Sequence, residues 1–308
     1  MIHRPKHHFA WKFLSSLAVL LTLLLTACGA GNTPSSTGSG STNTPEKVAS
    51  DGLLIPGTFQ WGADATGGAP YIFPDPNNAN KNIGFEVDMA GALAKLMGVQ
   101  DKFVQITWST WPQALAAQQF DVFMNGLEIS SDNVGSALFT IPYYVYTEQI
   151  VVKADNTTIT SFKDLEGKTV GTGTGYKAED YLEADPAIHE KLYDTDLPFS
   201  DLAAGRIDAI LIDAPIAQFY GAQDSQHRFK IVGGDLFPGY YGIGLSPTSS
   251  NSSVLRNELN QAITLLLQDG TLEKIYKQWG LWNDLQNCIY NVGATINGVQ
   301  CPALPAGA

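Results

Sequence analysis

Residues 83–107, Ile83-Gly-Phe-Glu-Val-Asp-Met-Ala-Gly-Ala-Leu-Ala-Lys-Leu-Met-Gly-Val-Gln-Asp-Lys-Phe-Val-Gln-Ile-Thr107, change character part-way along. Over Phe85–Met97 the apolar Val87, Ala90, Leu93, Ala94 and Met97 fall on one helix face, and Gly98 follows as a helix stop. Lys102–Thr107, with Phe103, Val104 and Ile106, reads as a strand. A helix followed at once by a strand is the unit from which α/β sheets are built.

The same succession extends in both directions. Thr58–Ala63 reads as a strand, Trp111–Gln118 as a helix and Asp121–Asn125 as a buried strand. A second series has strands at Gln149–Val152, Thr169–Gly171 and Asp208–Ile212, a short helix opened by Ser161-Phe-Lys-Asp-Leu165, and a helix at Ala178–Glu183. Tyr241–Leu245 is extended, and amphipathic helices follow over Val254–Gln268 and Thr271–Trp279. Alternation of this kind predicts an α/β fold with mostly parallel sheets. There is no internal repeat.

The ends of the chain have a different composition. Arg4, Lys6 and Lys12 precede an apolar run, Phe13–Leu25, that is shorter than the roughly 20 residues of a spanning helix and suits the core of a secretory signal. It ends in Leu25-Thr26-Ala27-Cys28-Gly29, which resembles a bacterial lipobox. That resemblance implies a leader over 1–27 and acylation of Cys28; an ordinary signal cleaved near Ala27 or Ala30 is the alternative. Residues 28–50 are mostly Gly, Ser, Thr, Asn, Pro and Ala, a composition that stays disordered and gives a tether on the order of 25 Å. Loss of residues 1–27 would remove three of the 18 basic residues and none of the 30 acidic ones, leaving a formal charge near −15. Such a surface repels nucleic acid and anionic lipid. Cys288 and Cys301 remain, an even pair that in an oxidising compartment points to a disulfide pinning the tail, with two free thiols as the alternative. Two cysteines without a nearby histidine do not suggest a metal site.

Eight stretches then occur in a fixed order: Gly62-Ala-Asp-Ala-Thr66, Ile83-Gly-Phe-Glu-Val-Asp-Met-Ala90, Trp108 with Leu115, Phe120-Asp-Val122, Pro142-Tyr-Tyr144, the segment Ser161–Gly171, the segment Gly205–Asp213 and the segment Asp269–Trp279. Together, over about Thr58 to Trp282, they resemble the extracellular solute-binding proteins of polar amino acid transporters, family 3. The resemblance implies a two-lobed, type II periplasmic-binding-protein-like α/β fold. Two hinge crossovers are expected near Tyr146–Ile150 and Tyr240–Gly244. Lobe 1 would comprise 53–146 plus 244–285, lobe 2 149–240, and 286–308 the C-terminal tail. The ligand would lie in the cleft between lobes, beyond the carboxyl ends of the strands, and closure would follow from contacts made only in the closed form.

The resemblance also points to individual residues. Asp64 follows the first strand where the family places an acid beside the ligand. Asp213 matches the aspartate that receives an ammonium group, a role that suits the need of a buried cation for charged acceptors; capping the turn Asp213-Ala-Pro is the alternative. Trp108 and Trp111 match aromatic pocket walls, with core packing the alternative. Asn125, Gly126 and Glu128 lie at a strand end where backbone and side-chain groups bond ligands. Gly171-Thr-Gly-Thr-Gly-Tyr-Lys177 opens a helix, so Thr174, Gly175 and Tyr176 are expected to cradle a carboxylate with charge from Lys177; a glycine-requiring turn is the alternative. As a dinucleotide motif its spacing is wrong.

Two departures stand out. The family's Ile-Thr-x-x-Arg reads Ile129-Ser-Ser-Asp-Asn133, so the arginine that clamps a carboxylate is absent, while Glu128 adds an acid. Gly67 replaces an aromatic, for which Tyr71 is the expected substitute. Asp64, Glu128 and Asp213 with the tryptophans thus predict an acidic, aromatic-walled cleft for a cationic or zwitterionic solute. The expected partners are that solute and a membrane ABC permease, with no cofactor, no metal and no nucleic acid, the protein being a lipid-anchored extracytoplasmic monomer. Competing readings are a cyclohexadienyl or arogenate dehydratase-like enzyme, with Glu128 as general acid, and a ligand-sensing accessory protein. His189 and His227 are isolated and suggest no triad.

Overall fold

The computed structural model describes residues 47–66, 68–194 and 198–308. The expected leader, Cys28, all but the last few residues of the tether, and Gly67 lie outside the described residues. No helix among those described is long and apolar enough to cross a membrane.

Two five-stranded sheets form the framework. The first runs in the order β4 (Gln100–Gln105), β1 (Thr58–Ala63), β5 (Val122–Phe123), β12 (Gly244–Leu245) and β6 (Leu138–Phe139). The second runs β11 (Phe229–Tyr241), β7 (Tyr144–Lys153), β10 (Ala209–Asp213), β8 (Thr169–Gly173) and β9 (His189–Tyr193). A short hairpin of β2 (Phe73–Asp75) and β3 (Asn78–Ile83) stands beside the first, and β13 (Thr295–Ile296) pairs with β14 (Val299–Gln300) near the C terminus. The helices are α1 (Phe85–Met97), α2 (Trp111–Ala116), α3 (Lys177–Glu183), α4 (Phe199–Ala203), α5 (Ala214–Ile216), α6 (Ser252–Gln268) and α7 (Thr271–Gln278).

The sheets are mixed, which corrects the expectation of mostly parallel pairing. In the first, β1 pairs parallel with β4 and β5, but β12 is antiparallel to β5 and β6. In the second, β10 and β9 flank β8 in parallel, whereas β7 is antiparallel to β10 and β11. Parallel neighbours need a helical return. The segments that pass from one sheet to the other do so without one, so β7 and β11 enter antiparallel.

Helix α1 shows how the sequence builds the first layer. Phe85, Met89, Leu93 and Met97 are fully buried, each contributing about 2 kcal/mol of apolar transfer. Gly98 ends the helix at φ 67°, a left-handed conformation that glycine adopts without Cβ strain. The exception on the apolar face is Glu86, whose side chain is buried with it.

The tail closes over the crossover strands. Cys288 and Cys301 form a disulfide with sulfurs 2.03 Å apart. Buried Gln286 exchanges two hydrogen bonds with the backbone of Val145, each 2.9 Å. Tyr240 donates its hydroxyl to the carbonyls of Cys288 (3.2 Å) and Pro302 (3.1 Å). The tail therefore grips both strands, β7 and β11, near the first sheet.

Candidate functional site

A cleft enclosing about 650 Å³ of space, open solvent included, is lined by residues that follow strands of both sheets. From the first sheet come Asp64 after β1 and Asn125, Gly126 and Glu128 after β5, with Tyr71 and Trp108 from adjoining loops. From the second come Thr174 and Tyr176 after β8 and Asp213 ending β10. Nine of the eleven expected contact residues thus share one cavity.

Trp111 and Gly175 are not among the residues that line it. Trp111 is buried and stacks on Phe123 with centroids 5.3 Å apart and planes at 10°, because the Trp-Pro start of α2 turns the indole into the core. Gly175 is exposed, and its N–H donates to the carboxylate of Glu179, 2.5 Å away. The expected carboxylate cradle is occupied by the chain itself: Thr174 donates its N–H to Tyr193 O (3.0 Å), and Tyr176 to Gly173 O (3.2 Å). Lys177 does not add charge there either. Its ammonium is paired with Asp132 at 3.1 Å and with Asp180.

The wall residues are held by specific bonds. The Asp64 carboxylate accepts from Thr66 N (2.9 Å), Gln105 Nε2 (3.0 Å) and Trp108 N (2.9 Å), so it fixes the loop carrying the Trp108 ring. Trp108 meets Tyr176 edge to face at 5.4 Å, a contact between groups from the two sheets' loops. Asn125 Oδ1 accepts from Asp64 N at 2.7 Å, tying the ends of β1 and β5 together. Gly126 has φ 67°, and a Cβ there would stand 2.6 Å from the Tyr71 ring, so only glycine lets that ring reach the wall. Its N–H donates to Glu86 Oε1 at 2.8 Å, and Tyr143 donates its hydroxyl to the same oxygen.

Charge collects at one end of the cavity. The hydroxyls of Tyr71 and Tyr241 are 2.8 Å apart, and Tyr241 donates to Asp213 Oδ2. Glu128 Oε1 accepts from Lys177 N at 3.3 Å. Glu148, on β7, is directly opposite Asp213 across the antiparallel ladder. Opposed residues of such a ladder share a face of the sheet, and the neighbours Thr147 and Gln149 point the other way, to Asp235 (3.1 and 2.9 Å). Glu128 Oε2, Asp213 Oδ1 and both Glu148 oxygens are buried without a hydrogen-bond partner.

Burial is the main cause that raises the proton affinity of all three carboxyls. Asp213 adds to the rise at Glu128, and Asp213 and Glu128 add to it at Glu148. Glu86, behind Gly126, is pushed up by burial to about 7 despite its two donors. The sequence reading missed Glu86 and Glu148, and also Tyr193 and Asp194, which line the cavity. The first two carry no local signal, since an acid in a helix or strand is ordinarily exposed. Among the described residues no group of three or more His, Cys, Asp or Glu is arranged to hold a metal ion.

Paired mixed sheets, a seam lined from strand ends on both sides and long antiparallel crossover strands define a two-lobed periplasmic-binding-type protein with its cleft between the lobes. Residues 60–281 match the model of the bacterial extracellular solute-binding proteins, family 3, and the chain belongs to that family. It is similar to the L-cystine-binding protein TcyJ of Escherichia coli (strain K12), 31% identical over 241 residues, covering 76% of this chain and 88% of that one. It is also similar to the ABC transporter arginine-binding protein 1 of the same strain, 29% identical over 206 residues, covering 65% and 82%. Among solved structures, an ancestral arginine-binding protein bound to glutamine superposes with a TM-score of 0.67 at 33% identity, covering 74% of this chain and all of the other.

Proposed function

We propose that this solute-binding protein captures a small cationic solute, an amino acid or a related amine, and presents it to the permease of an ABC importer. One observation carries the reading: the cavity is lined by the carboxylates of Asp64, Glu128, Asp194 and Asp213, with no Lys, Arg or His among the described lining residues. A cation moved out of water needs charged acceptors, and Asp213 and Glu128 offer free buried oxygens for it. Trp108, Tyr71 and Tyr176 supply ring faces and edges for its stem and for cation–π attraction. The similarity to arginine-binding proteins supports the same charge sign. In this reading the protein acts as a monomer outside the cytoplasm, held to the membrane through a lipid on Cys28.

A dehydratase role has less support. Glu128 has the buried position of a general acid, but Asn133 spends its amide on the Glu128 carbonyl (3.0 Å), leaving no cationic clamp for a dicarboxylate substrate.

Thermal-shift and calorimetric screening of the purified protein tests the proposal. Basic amino acids or amines should raise the melting temperature by mass action, and Asp213→Asn should abolish the shift. Preferential binding of glutamate or aspartate at neutral pH would refute it.

A further inference from the structure

The cleft's donors and acceptors say more about the solute than its charge sign. Resting on the reading of this cavity as the solute site, we infer that the preferred ligand is an amine or guanidine that carries no carboxylate, positive where an amino acid would be zwitterionic.

An α-amino acid asks for two things side by side: acceptors for its ammonium and donors, usually cationic, for its carboxylate. Here the acceptors are in excess. Glu128 and Asp213 both line the cavity, both are buried to within 3% of full occlusion, and each keeps one oxygen without a partner. Glu148 adds a third buried carboxyl behind Asp213, with both oxygens unpartnered. The main-chain donors of the flanking loops are spent, and the side-chain donors that remain on the wall, such as Asn125 Nδ2 and Trp108 Nε1, are neutral. The amides of Gly126, Thr174, Gly175, Tyr176 and Lys177 already donate to Glu86, Tyr193, Glu179, Gly173 and Glu128. The nearest ammonium, on Lys177, is turned to Asp132 and Asp180. A ligand carboxylate beside Asp213 would also meet Glu128, and a like-charge contact in a buried seam is repulsive. A second amine, or an apolar end, would meet no such conflict, and the aromatic rings of Trp108 and Tyr176 suit either.

Matched pairs differing only by the carboxylate decide the point: agmatine against arginine, and cadaverine against lysine, titrated calorimetrically into the purified full-length protein at neutral pH. The decarboxylated member of at least one pair should bind tighter by roughly tenfold or more, the factor carried by each 1.4 kcal/mol. In Glu128→Gln, which keeps volume and removes the charge, the decarboxylated member should lose more affinity than its amino acid, so that ratio should fall toward one. Amino acids binding as tightly as their decarboxylated partners would overturn the inference and leave the cationic-solute reading standing. A ratio unchanged in Glu128→Gln would also overturn it. Binding of glutamate but of none of the four would overturn both.

Discussion

Capture of a cation at Glu128, Glu148 and Asp213 should expel about one proton. Residues opposed across an antiparallel ladder have Cα atoms about 5 Å apart, and Glu148 faces Asp213 in that way. Two carboxylates about 6 Å apart at an effective dielectric constant of about 20 repel by roughly 3 kcal/mol. At 1.36 kcal/mol per tenfold in proton affinity, that repulsion alone is worth about two pH units, and burial, the larger cause at each group, adds to it. The surroundings do little to relieve it. Tyr71, Tyr146, Tyr176 and Tyr241 are themselves pushed upward and stay neutral, and Lys177, the nearby cation, lowers Glu128 and Glu148 only as a lesser cause. The empty cluster therefore retains at least one proton at neutral pH, and a bound cation takes its place. Because the ligand prefers the ionised form, affinity rises with pH, by about tenfold per unit near neutrality for one proton released. Calorimetry in phosphate and in Tris, whose ionisation enthalpies differ, counts that proton directly. The same enthalpy in both buffers, with an affinity flat between about pH 6 and about pH 8, would refute the reasoning.

Other perturbations separate fold from site. Burial raises Glu86 from its ordinary 4.5 to about 7, so its contribution to stability is fully present below the ordinary value and lost as pH rises through about 7. Denaturant unfolding should show the gap between Glu86→Gln and the parent changing by about 3 kcal/mol from acid to alkaline pH in the variant's favour; parallel curves would exclude this. Trp111→Ala should cost about 3–5 kcal/mol of stability through lost core packing, with solute affinity of the folded fraction unchanged. Trp108→Ala should do the reverse, lowering affinity with a small change in melting temperature, because its ring is half-buried at the cavity. Replacing Cys288 and Cys301 together by serine opens a loop with a sequence separation of 13. The expected loss is about 3 kcal/mol, read as a lower melting temperature that reductant no longer alters.

Local signals carried the fold far. Helix α1 was legible to its bounds, Phe85–Met97, because amphipathic spacing and Gly98 agree. The capping box of Ser161 and Asp164 likewise marks the short helix that Ser161 opens. Strand β7 was legible only at Gln149–Val152 although it spans Tyr144–Lys153. Its first half contains Thr147 and Glu148, polar residues that read as surface and are buried by partners far away in sequence. Strand β9 was missed for the opposite reason: it is an edge strand with exposed His189, Lys191 and Leu192, so no apolar alternation marks it. In the site, Asp64 and Asp213 were pointed to by the family resemblance, and both line the cavity. Trp108 and Trp111 were not separable, since three residues decide whether an indole faces the cleft or the core. Lys177 shows a further limit: sequence places the ammonium near the cleft, but only tertiary structure supplies Asp132 to turn it away.

The position of the acids also bears on closure. Glu148 and Tyr241 lie on β7 and β11, the two strands that run antiparallel along the seam, while Glu128 comes from the first sheet's side and bridges to Tyr241. Asp213 and Glu148 are held side by side within the second sheet; bringing the lobes together adds Glu128 to that pair, and an unneutralised buried charge costs several kcal/mol. Closure on an empty cleft must therefore take up protons or bear that cost, whereas closure on a cation needs neither. A ligand shifts a conformational equilibrium only by its differential affinity for the two states. Here the difference is built from the Asp213–Glu148 pair, better solvated when the cleft is open than when Glu128 and the first sheet's loops cover it. On the proposed reading, the charge that would select the solute would also make closure depend on it. Glu148→Gln, which lowers the cost of empty closure without altering the cavity wall, should increase the closed population of the ligand-free protein. Small-angle scattering should then show a smaller radius of gyration for the ligand-free variant than for the ligand-free parent, and identical radii would break the link between charge and closure.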